Sequence, residues 1–288
     1  MKKILLALAA ALMLPTTSCT RNDNEPTADG QAPRDTMQQM TIRFTFPMAV
    51  SMQPMTRATL ADAQLTDLWL FDYMNGSLVN TIHQTSDDVN FGAIALNADY
   101  GDHNLYFVAS RGTSPTIDGT TITWVKPSDT FWHTMSLTVV PGMSATQSVA
   151  LARVATRLRI AVTDEVPATL SKFSITPAHW YYGLDYTTGE PTDDQQTART
   201  IDVPSSYIGT TGQLAMNIYG LCSSTEYTTD ITVSALESDE STIASLTLSD
   251  VPLRRNRVTS YSGQIFGHAN AVSVSVSDGW DDEHAVSW

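Results

Sequence analysis

Short segments in which apolar and polar residues alternate dominate the chain. In MTIRFTFPM, the side chains of Ile42, Phe44 and Phe46 fall on one face and polar side chains fall on the other. A period of two is that of a β-strand with one buried face. No window shows the apolar stripe at three- and four-residue spacing that marks a long amphipathic helix. We therefore expect a protein built from β-strands.

Turn residues separate these segments, and the strongest turn signal is Asn75-Gly76 between LWLFDY and SLVNTIH, which predicts a β-hairpin. The pattern of PSDTFWHT favours a short helix instead. Other strands are predicted in HNLYFVAS, TITWV, TMSLTVV, QSVALAR, ATRLRIAVTD, LSKFSITPA, GQLAMNIYGL, TTDITVSALES, STIASLTLS, RVTSYSGQIFG and AVSVSVSDGW. About a dozen short, turn-bounded strands are typical of β-sandwiches. We predict an all-β fold with two tandem sandwich domains, residues 39–153 and 154–288.

The first residues have the pattern of an export signal. Lys2 and Lys3 precede an apolar run, Ile4–Leu14, which is too short to span a bilayer. Small and polar residues follow, and then Cys19, where a lipoprotein signal places its lipid-bearing cysteine. We predict a lipoprotein signal peptide over 1–18 with lipidation at Cys19. A plain signal peptide with an incidental cysteine is the alternative.

Composition limits the partners of the mature chain. Loss of residues 1–18 removes two lysines and no acid, which takes the formal net charge from −14 to −16. A phosphate backbone requires a basic face, so nucleic acid is excluded as a partner. Residues 19–38 are polar and lack apolar periodicity, which predicts a disordered tether. Cys222 is the only cysteine besides Cys19, so there is no disulfide framework, and we expect Cys222 in the core.

The sequence contains no catalytic or cofactor motif. HExxH, GxSxG, GxGxxG and P-loop patterns are absent, and the six histidines have no metal-ligand spacing. We therefore predict a non-enzymatic protein without a cofactor or a metal site.

Aromatic residues are densest in AHWYYGLDY. Exposed rings there would stack on sugar faces or anchor a protein interface. Trp180 and Tyr182 are accordingly our candidate ligand-binding residues. The alternative is that alternate rings fill a sandwich core.

Arg57 follows the first predicted strand in a polar, turn-like context and is a candidate site for a trypsin-like protease. Removal of the first strand would leave an unpaired sheet edge and an apolar groove, which a strand from another subunit would fill. An ordinary surface arginine is the alternative.

The order of features resembles the fimbrillin family, the type V pilus proteins of Gram-negative anaerobes. The resemblance covers residues 19–288. Its elements are the signal ending at Cys19, TRAT, LWLFDYMNG, GDHNLYFVAS, RVATRLRIAVTD, VPLRRNRVTSYSGQIF and a last strand ending in DGW.

The resemblance implies two transthyretin-like β-sandwich domains and a lipoprotein exposed at the outer membrane, with other fimbrial subunits as partners and a role in adhesion to host glycan or protein. In stalk members, cleavage after the residue that matches Arg57 releases the first strand. A neighbour's C-terminal strand then fills the groove, and Val272, Val274 and Val276 are the candidates here. Anchor members keep the lipid. The short sequence after Trp280 favours an anchor or terminal subunit, and a monomeric surface lipoprotein that binds glycan or host protein is the alternative.

Overall fold

The computed structural model describes residues 38–47, 64–267, 272–277 and 286–287. Within these ranges the chain forms β-strands and a single short 3₁₀ turn, Ser205–Tyr207. The all-β prediction is therefore confirmed. Cys19, Arg57 and the predicted signal peptide and tether, except Gln38, lie outside the described residues.

The strands are short, as the turn-bounded sequence pattern predicted. In chain order they are β1 (Gln39–Thr45), β2 (Asp67–Met74), β3 (Ser77–Thr85), β4 (Ala93–Asp99), β5 (Gly101–Ser110), β6 (Thr113–Asp118), β7 (Thr121–Lys126), β8 (Thr130–Val139), β9 (Thr146–Ser148), β10 (Ala152–Arg153), β11 (Ala155–Val162), β12 (Lys172–Pro177), β13 (Tyr181–Asp185), β14 (Glu190–Asp194), β15 (Arg199–Asp202), β16 (Ala215–Leu221), β17 (Tyr227–Leu236), β18 (Thr242–Leu253), β19 (Val258–Gly263), β20 (Val272–Ser277) and β21 (Val286–Ser287).

These strands form four sheets. Sheet I has the order β4-β1-β9, and sheet II has the order β10-β8-β5-β2-β3. Sheet III runs β20-β19-β11-β16-β13-β7-β6, with β14 paired to β13 and β21 paired to β16. Sheet IV has the order β15-β12-β17-β18. Sheets I and II enclose one apolar core, and sheets III and IV enclose another.

The β2–β3 hairpin forms where Asn75-Gly76 predicted it. Both turn residues have positive φ, 52° for Asn75 and 77° for Gly76. A two-residue hairpin turn of this kind favours asparagine and glycine because both tolerate the left-handed region. The strands pair from Met74↔Ser77 outward.

The short helix expected in PSDTFWHT is wrong. Strand β8 begins at Thr130 and pairs with β5 over ten residues, from Ser110↔Thr130 to Gly101↔Val139. Backbone pairing with β5 and burial of Phe131 outweigh the local helical preference of so short a segment.

Strand β2 is buried on both faces, which explains why LWLF lacks alternation. Leu68 and Leu70 join the core between sheets I and II. Trp69 and Phe71 point the other way into a third apolar cluster. An apolar run without alternation is the pattern of a strand with both faces covered.

The third cluster joins sheet II to sheet III. The Trp69 and Trp124 rings meet edge to face at 6.4 Å, and the Phe71 ring stacks on that of Tyr186 at 3.7 Å. The Trp132 indole donates a hydrogen bond to the Tyr186 carbonyl at 2.7 Å. Aromatic pairs of this geometry stabilise by about 0.5–1.5 kcal/mol beyond their buried area.

Hairpin β6–β7 brings part of the first predicted domain into sheet III. Strand β7 pairs with β13, from Gly183↔Thr123 to Asp185↔Thr121. The division at 153/154 stays a prediction, but this pairing and the third cluster indicate that the two sandwiches fold together.

Cys222 lies in the core between sheets III and IV. Its side chain is fully buried and forms no disulfide. Burial raises the pKa of the Cys222 thiol to about 12. The expectation that Cys222 is a core residue is confirmed.

Replacement of Trp124 by alanine should lower the free energy of unfolding by about 3–5 kcal/mol, because it removes a large ring from the third cluster. Val125 is the matched control, since it follows on the same strand but is 63% exposed. Val125→Ala should change stability by less than about 0.5 kcal/mol. Urea unfolding followed by tryptophan fluorescence and circular dichroism measures both. Equal small effects would mean that the hairpin does not contribute to cooperative folding.

The Cys222 thiol should resist a disulfide reagent such as DTNB at pH 8 in the folded Cys19→Ser chain, and react readily in urea. The folded thiol stays neutral, whereas the unfolded thiol ionises near its ordinary pKa of 9.0. This thiol's stabilising contribution is therefore complete below pH 9 and is lost as the pH rises toward 12. Cys222→Ala should show a smaller loss of stability over that range. A native reaction rate equal to the unfolded rate would contradict this placement.

Candidate strand-exchange site

Strand β1 places the predicted exchange residues in the core. Ile42 and Phe44 are fully buried and Phe46 is 6% exposed. The Phe44 and Phe46 rings lie 5.2 and 5.6 Å from the ring of Phe107 on sheet II. The inward face of β1, continued by Phe46 directly after the strand, is therefore a row of three apolar side chains over the aromatic ring of Phe107.

Backbone pairing holds β1 on both sides. It pairs antiparallel with β4 over seven residues, from Gln39↔Asp99 to Thr45↔Ala93. On its other side it pairs in parallel with β9, from Arg43↔Thr146 to Thr45↔Ser148. Because β1 is the middle strand of sheet I, its departure would unpair β4 and β9 together.

The outward face of β1 is polar, and its side chains form only weak, exposed hydrogen bonds with β4. Gln39 Nε2 donates to Asp99 Oδ1 at 2.8 Å, and Thr41 Oγ1 donates to Asn97 Oδ1 at 2.6 Å. Both bonds are exposed, so they contribute little beyond what water would offer. The pairing and the buried row therefore fix β1.

A buried polar pair lies at the end of the β1 site. Asp72 and His103 are 1% and 2% exposed, and His103 Nδ1 lies 2.7 Å from Asp72 Oδ1. His103 Nε2 donates to the Asp99 carbonyl at 2.9 Å, since a carbonyl only accepts. Burial raises the pKa of Asp72 above its ordinary value. The pair connects sheet II to the residue that opposes Gln39.

The Asp72–His103 pair escaped the sequence analysis. His103 occupies an inward position of β5, and an inward histidine in an apolar strand is the one signal that pointed to it. Both side chains are enclosed by the protein, with 1% and 2% of their surface exposed, which favours a structural role for the pair.

The predicted donor residues lie in another sheet. Strand β20, which carries Val272, Val274 and Val276, pairs antiparallel with β19, from Val258↔Ser277 to Gly263↔Val272. It is the terminal strand of sheet III. The structure thus places the donor residues in their own chain, apart from the core that holds β1.

The proposal that Trp180 and Tyr182 bind a ligand is corrected by their burial. They are 1% and 4% exposed and belong to the core between sheets III and IV. The guanidinium of Arg199 lies 5.2 Å from the Trp180 ring and 4.6 Å from the Tyr182 ring. Their ring faces meet a buried cation rather than a sugar, so the core alternative is the one that the structure supports.

Two further features bear on function. The described residues contain no group of three or more histidine, cysteine or acidic side chains that could hold a metal ion. In the same part of the chain, no helix is long and apolar enough to cross a membrane.

Comparison with solved structures identifies proteins of the same fold. A protein from Bacteroides thetaiotaomicron described as a putative polysaccharide binding protein (DUF1812) aligns with a TM-score of 0.55 at 10% identity, over 84% of this chain and 98% of that one. A putative adhesin from the same organism gives 0.54 at 12% identity, over 85% and 98%. A putative adhesin from Bacteroides ovatus gives 0.52 at 8% identity, over 78% and 88%.

At these identities the likeness is one of fold, and this fold is consistent with the resemblance to the fimbrillin family. A search of curated proteins finds no match. A family model described as a family of unknown function (DUF6562) matches residues 117–287, which is more than half of the chain. The chain therefore belongs to the DUF6562 family.

Proposed function

We propose that this protein is a non-enzymatic fimbrial subunit or fimbrial anchor at the cell surface, which assembles by β-strand exchange and supports adhesion. The observation that carries the proposal is the position of β1. It is the middle strand of sheet I, its inward face is buried, and one stretch of chain connects it to β2. Solved proteins of the same fold include ones described as adhesins, which agrees with a surface role.

The first step is release of β1. The sequence that connects β1 to β2 contains Arg57, and a cut there would leave β1 held only by pairing and burial. The trimmed strand would then exchange with a competing strand, because no peptide bond would retain it.

The second step is refilling of the groove. Loss of Ile42, Phe44 and Phe46 would expose the apolar side chains of β4 and the ring of Phe107. Full burial of one such side chain contributes about 1.5–3 kcal/mol. A strand with alternating apolar residues restores this burial and both ladders at once.

The donor in this proposal is the C-terminal segment of a neighbouring subunit. Among the described residues, strand β20 pairs on one side only, with β19, so it would give up that one ladder on leaving. Val272, Val274 and Val276 fall at alternate positions, as the three apolar residues of β1 do. The spacing of the donor therefore matches that of the strand it would replace.

Attachment to the outer membrane is the third part of the proposal. Cys19 would carry the lipid, and the polar segment that follows would hold the folded body away from the membrane. Retention of Cys19 suits an anchor subunit, whereas a cut at Arg57 would detach the body from the lipid.

Cleavage after Arg57 by an arginine-specific protease should convert the monomer into a species that takes up a labelled peptide of residues 270–288. Fluorescence anisotropy measures uptake, and size-exclusion chromatography measures polymer formation. The Arg57→Gln chain, treated identically, is the matched control and should do neither. A peptide carrying Val274→Asp should bind at least about tenfold more weakly, because a charge would enter the apolar groove.

A trimmed protein that remains monomeric and ignores the peptide would refute strand exchange. Equal uptake of the peptide and its Val274→Asp form would show that binding does not use the groove.

Cys19→Ser should abolish metabolic labelling with palmitate and release the protein from the membrane fraction. Cys222→Ser is the control, and its labelling should be unchanged because Cys222 is a core thiol. Labelling that survives the Cys19 substitution would disprove the lipid assignment.

A further inference from the structure

Three arginines of one turn line a surface recess, although the protein as a whole is strongly acidic. Arg254, Arg255 and Arg257 follow strand β18, and Ser224 and Glu226 complete the lining of a recess of about 340 Å³. The full chain has only 16 basic residues against 30 acidic ones. This concave site, with three positively charged side chains within four residues, therefore contrasts with the net negative charge of the protein.

Arg255 forms the fixed base of this recess. Its Nε donates to the Cys222 carbonyl at 2.7 Å, and its Nη2 donates to the Gly189 carbonyl. Nη2 also lies 3.3 Å from Glu190 Oε1. Arg255 is thus committed to the protein, and it holds the turn against the loops that precede β14 and follow β16.

The turn itself is fixed at Asn256. This residue has a positive φ of 54°, and its backbone N–H donates to the Ala155 carbonyl at 2.9 Å. Its Oδ1 accepts a hydrogen bond from Arg153 Nη1 at 3.0 Å. The backbone that carries the arginines on either side is therefore fixed before any ligand arrives, which reduces the entropy lost on binding.

Arg254 has hydrogen-bond donors that a ligand could use. Its side chain is 59% exposed, and its Nε pairs with Glu226, which is 37% exposed. Among the described residues, neither Nη atom of Arg254 has a hydrogen-bond partner. An exposed ion pair stabilises only weakly, because water competes for both charged groups. Exchange of Glu226 for a ligand carboxylate would therefore meet little resistance.

We propose that this recess binds a carboxylate-bearing sugar, such as a uronic acid residue of an acidic polysaccharide. Arg254 and Arg257 would hold the carboxylate, because the planar guanidinium matches its two oxygens. Ser224 and Glu226 would hydrogen-bond sugar hydroxyls. The volume falls at the lower end of the range for small-ligand pockets, about 300–1,000 Å³, and suits one sugar unit.

The lining favours a sugar over an acidic peptide. It consists of charged and hydroxyl-bearing residues, with no apolar side chain to receive a peptide anchor. The site also goes beyond the proposed function, because it lies beside sheets III and IV and shares no residue with the β1 groove.

Binding of the mature chain to polygalacturonate, measured by biolayer interferometry, tests the proposal. Fully methyl-esterified polygalacturonate is the matched ligand, since it has the same backbone without the carboxylates. The ester should bind at least about tenfold more weakly, because it lacks the negative charge that the two guanidinium groups would bind. Dextran sulfate, which carries sulfates but no carboxylates, provides a sulfate-bearing arm and should also bind more weakly than polygalacturonate.

Arg254→Gln should weaken binding to polygalacturonate by about threefold, and its combination with Arg257→Gln should weaken binding by about tenfold or more. Arg43→Gln removes an exposed arginine of β1 and should bind as the wild type does. Thermal unfolding verifies that each variant is folded, and the single Arg254 variant alters only an exposed side chain. The peptide-uptake assay on the same preparations should be unaffected by Arg254→Gln, which separates this site from strand exchange.

Wild-type affinity in the Arg254 and Arg257 variants would overturn the proposal. Equal binding of the methyl ester, stronger binding of dextran sulfate, or an equal loss in Arg43→Gln would do so as well. The last result would indicate a nonspecific effect of net charge, and binding of acidic peptides alone would identify a protein partner instead.

Discussion

The double burial of β2 is the constraint on which the rest of the fold depends. Adjacent residues of a strand point to opposite faces, so Leu70 enters the core below sheet I while Phe71 stacks on Tyr186. Sheet II therefore lies between two apolar clusters and has little free face at β2 and β5. This arrangement makes the first sandwich depend on residues that follow it in the chain, including those of β13.

A middle layer of this kind would support the groove that the proposed release of β1 would leave. The floor under β1 is Phe107, on a sheet supported from behind by Trp69 and Phe71. The Asp72–His103 pair fixes the end of β4 by holding the Asp99 carbonyl. Removal of β1 would thus take one strand from the core, while sheet II below it and the end of β4 beside it keep their contacts.

Local patterns predicted much of the fold, and long-range pairing decided the rest. The alternation of β1 and the turn at Asn75-Gly76 follow from neighbouring residues alone, and both are confirmed. The helix predicted in PSDTFWHT is wrong because the strand in this segment is stabilised by pairing with β5, which lies elsewhere in the sequence. The Asp72–His103 contact joins residues that are 31 positions apart, and a local sequence pattern does not predict such a contact.

The aromatic and basic residues also combine features that a local sequence pattern predicts with features that depend on distant residues. Ring density at Trp180 and Tyr182 was visible in the sequence, but their burial under Arg199 depends on β15, a strand that the sequence analysis did not predict. The turn from Arg254 to Arg257 was visible as part of a family motif. Its concave shape depends on Ser224 and Glu226, which another turn contributes.

If β1 is released as proposed, the energies involved favour assembly over a groove that stays empty. Its three buried side chains contribute roughly 5–9 kcal/mol if each follows the usual range. A folded domain has a total stability of only about 5–15 kcal/mol. A chain without β1 would therefore lie near the limit of its own stability until another strand occupied the site. Pairing on both sides makes a strand the best-fitting occupant, because only a strand satisfies β4 and β9 together.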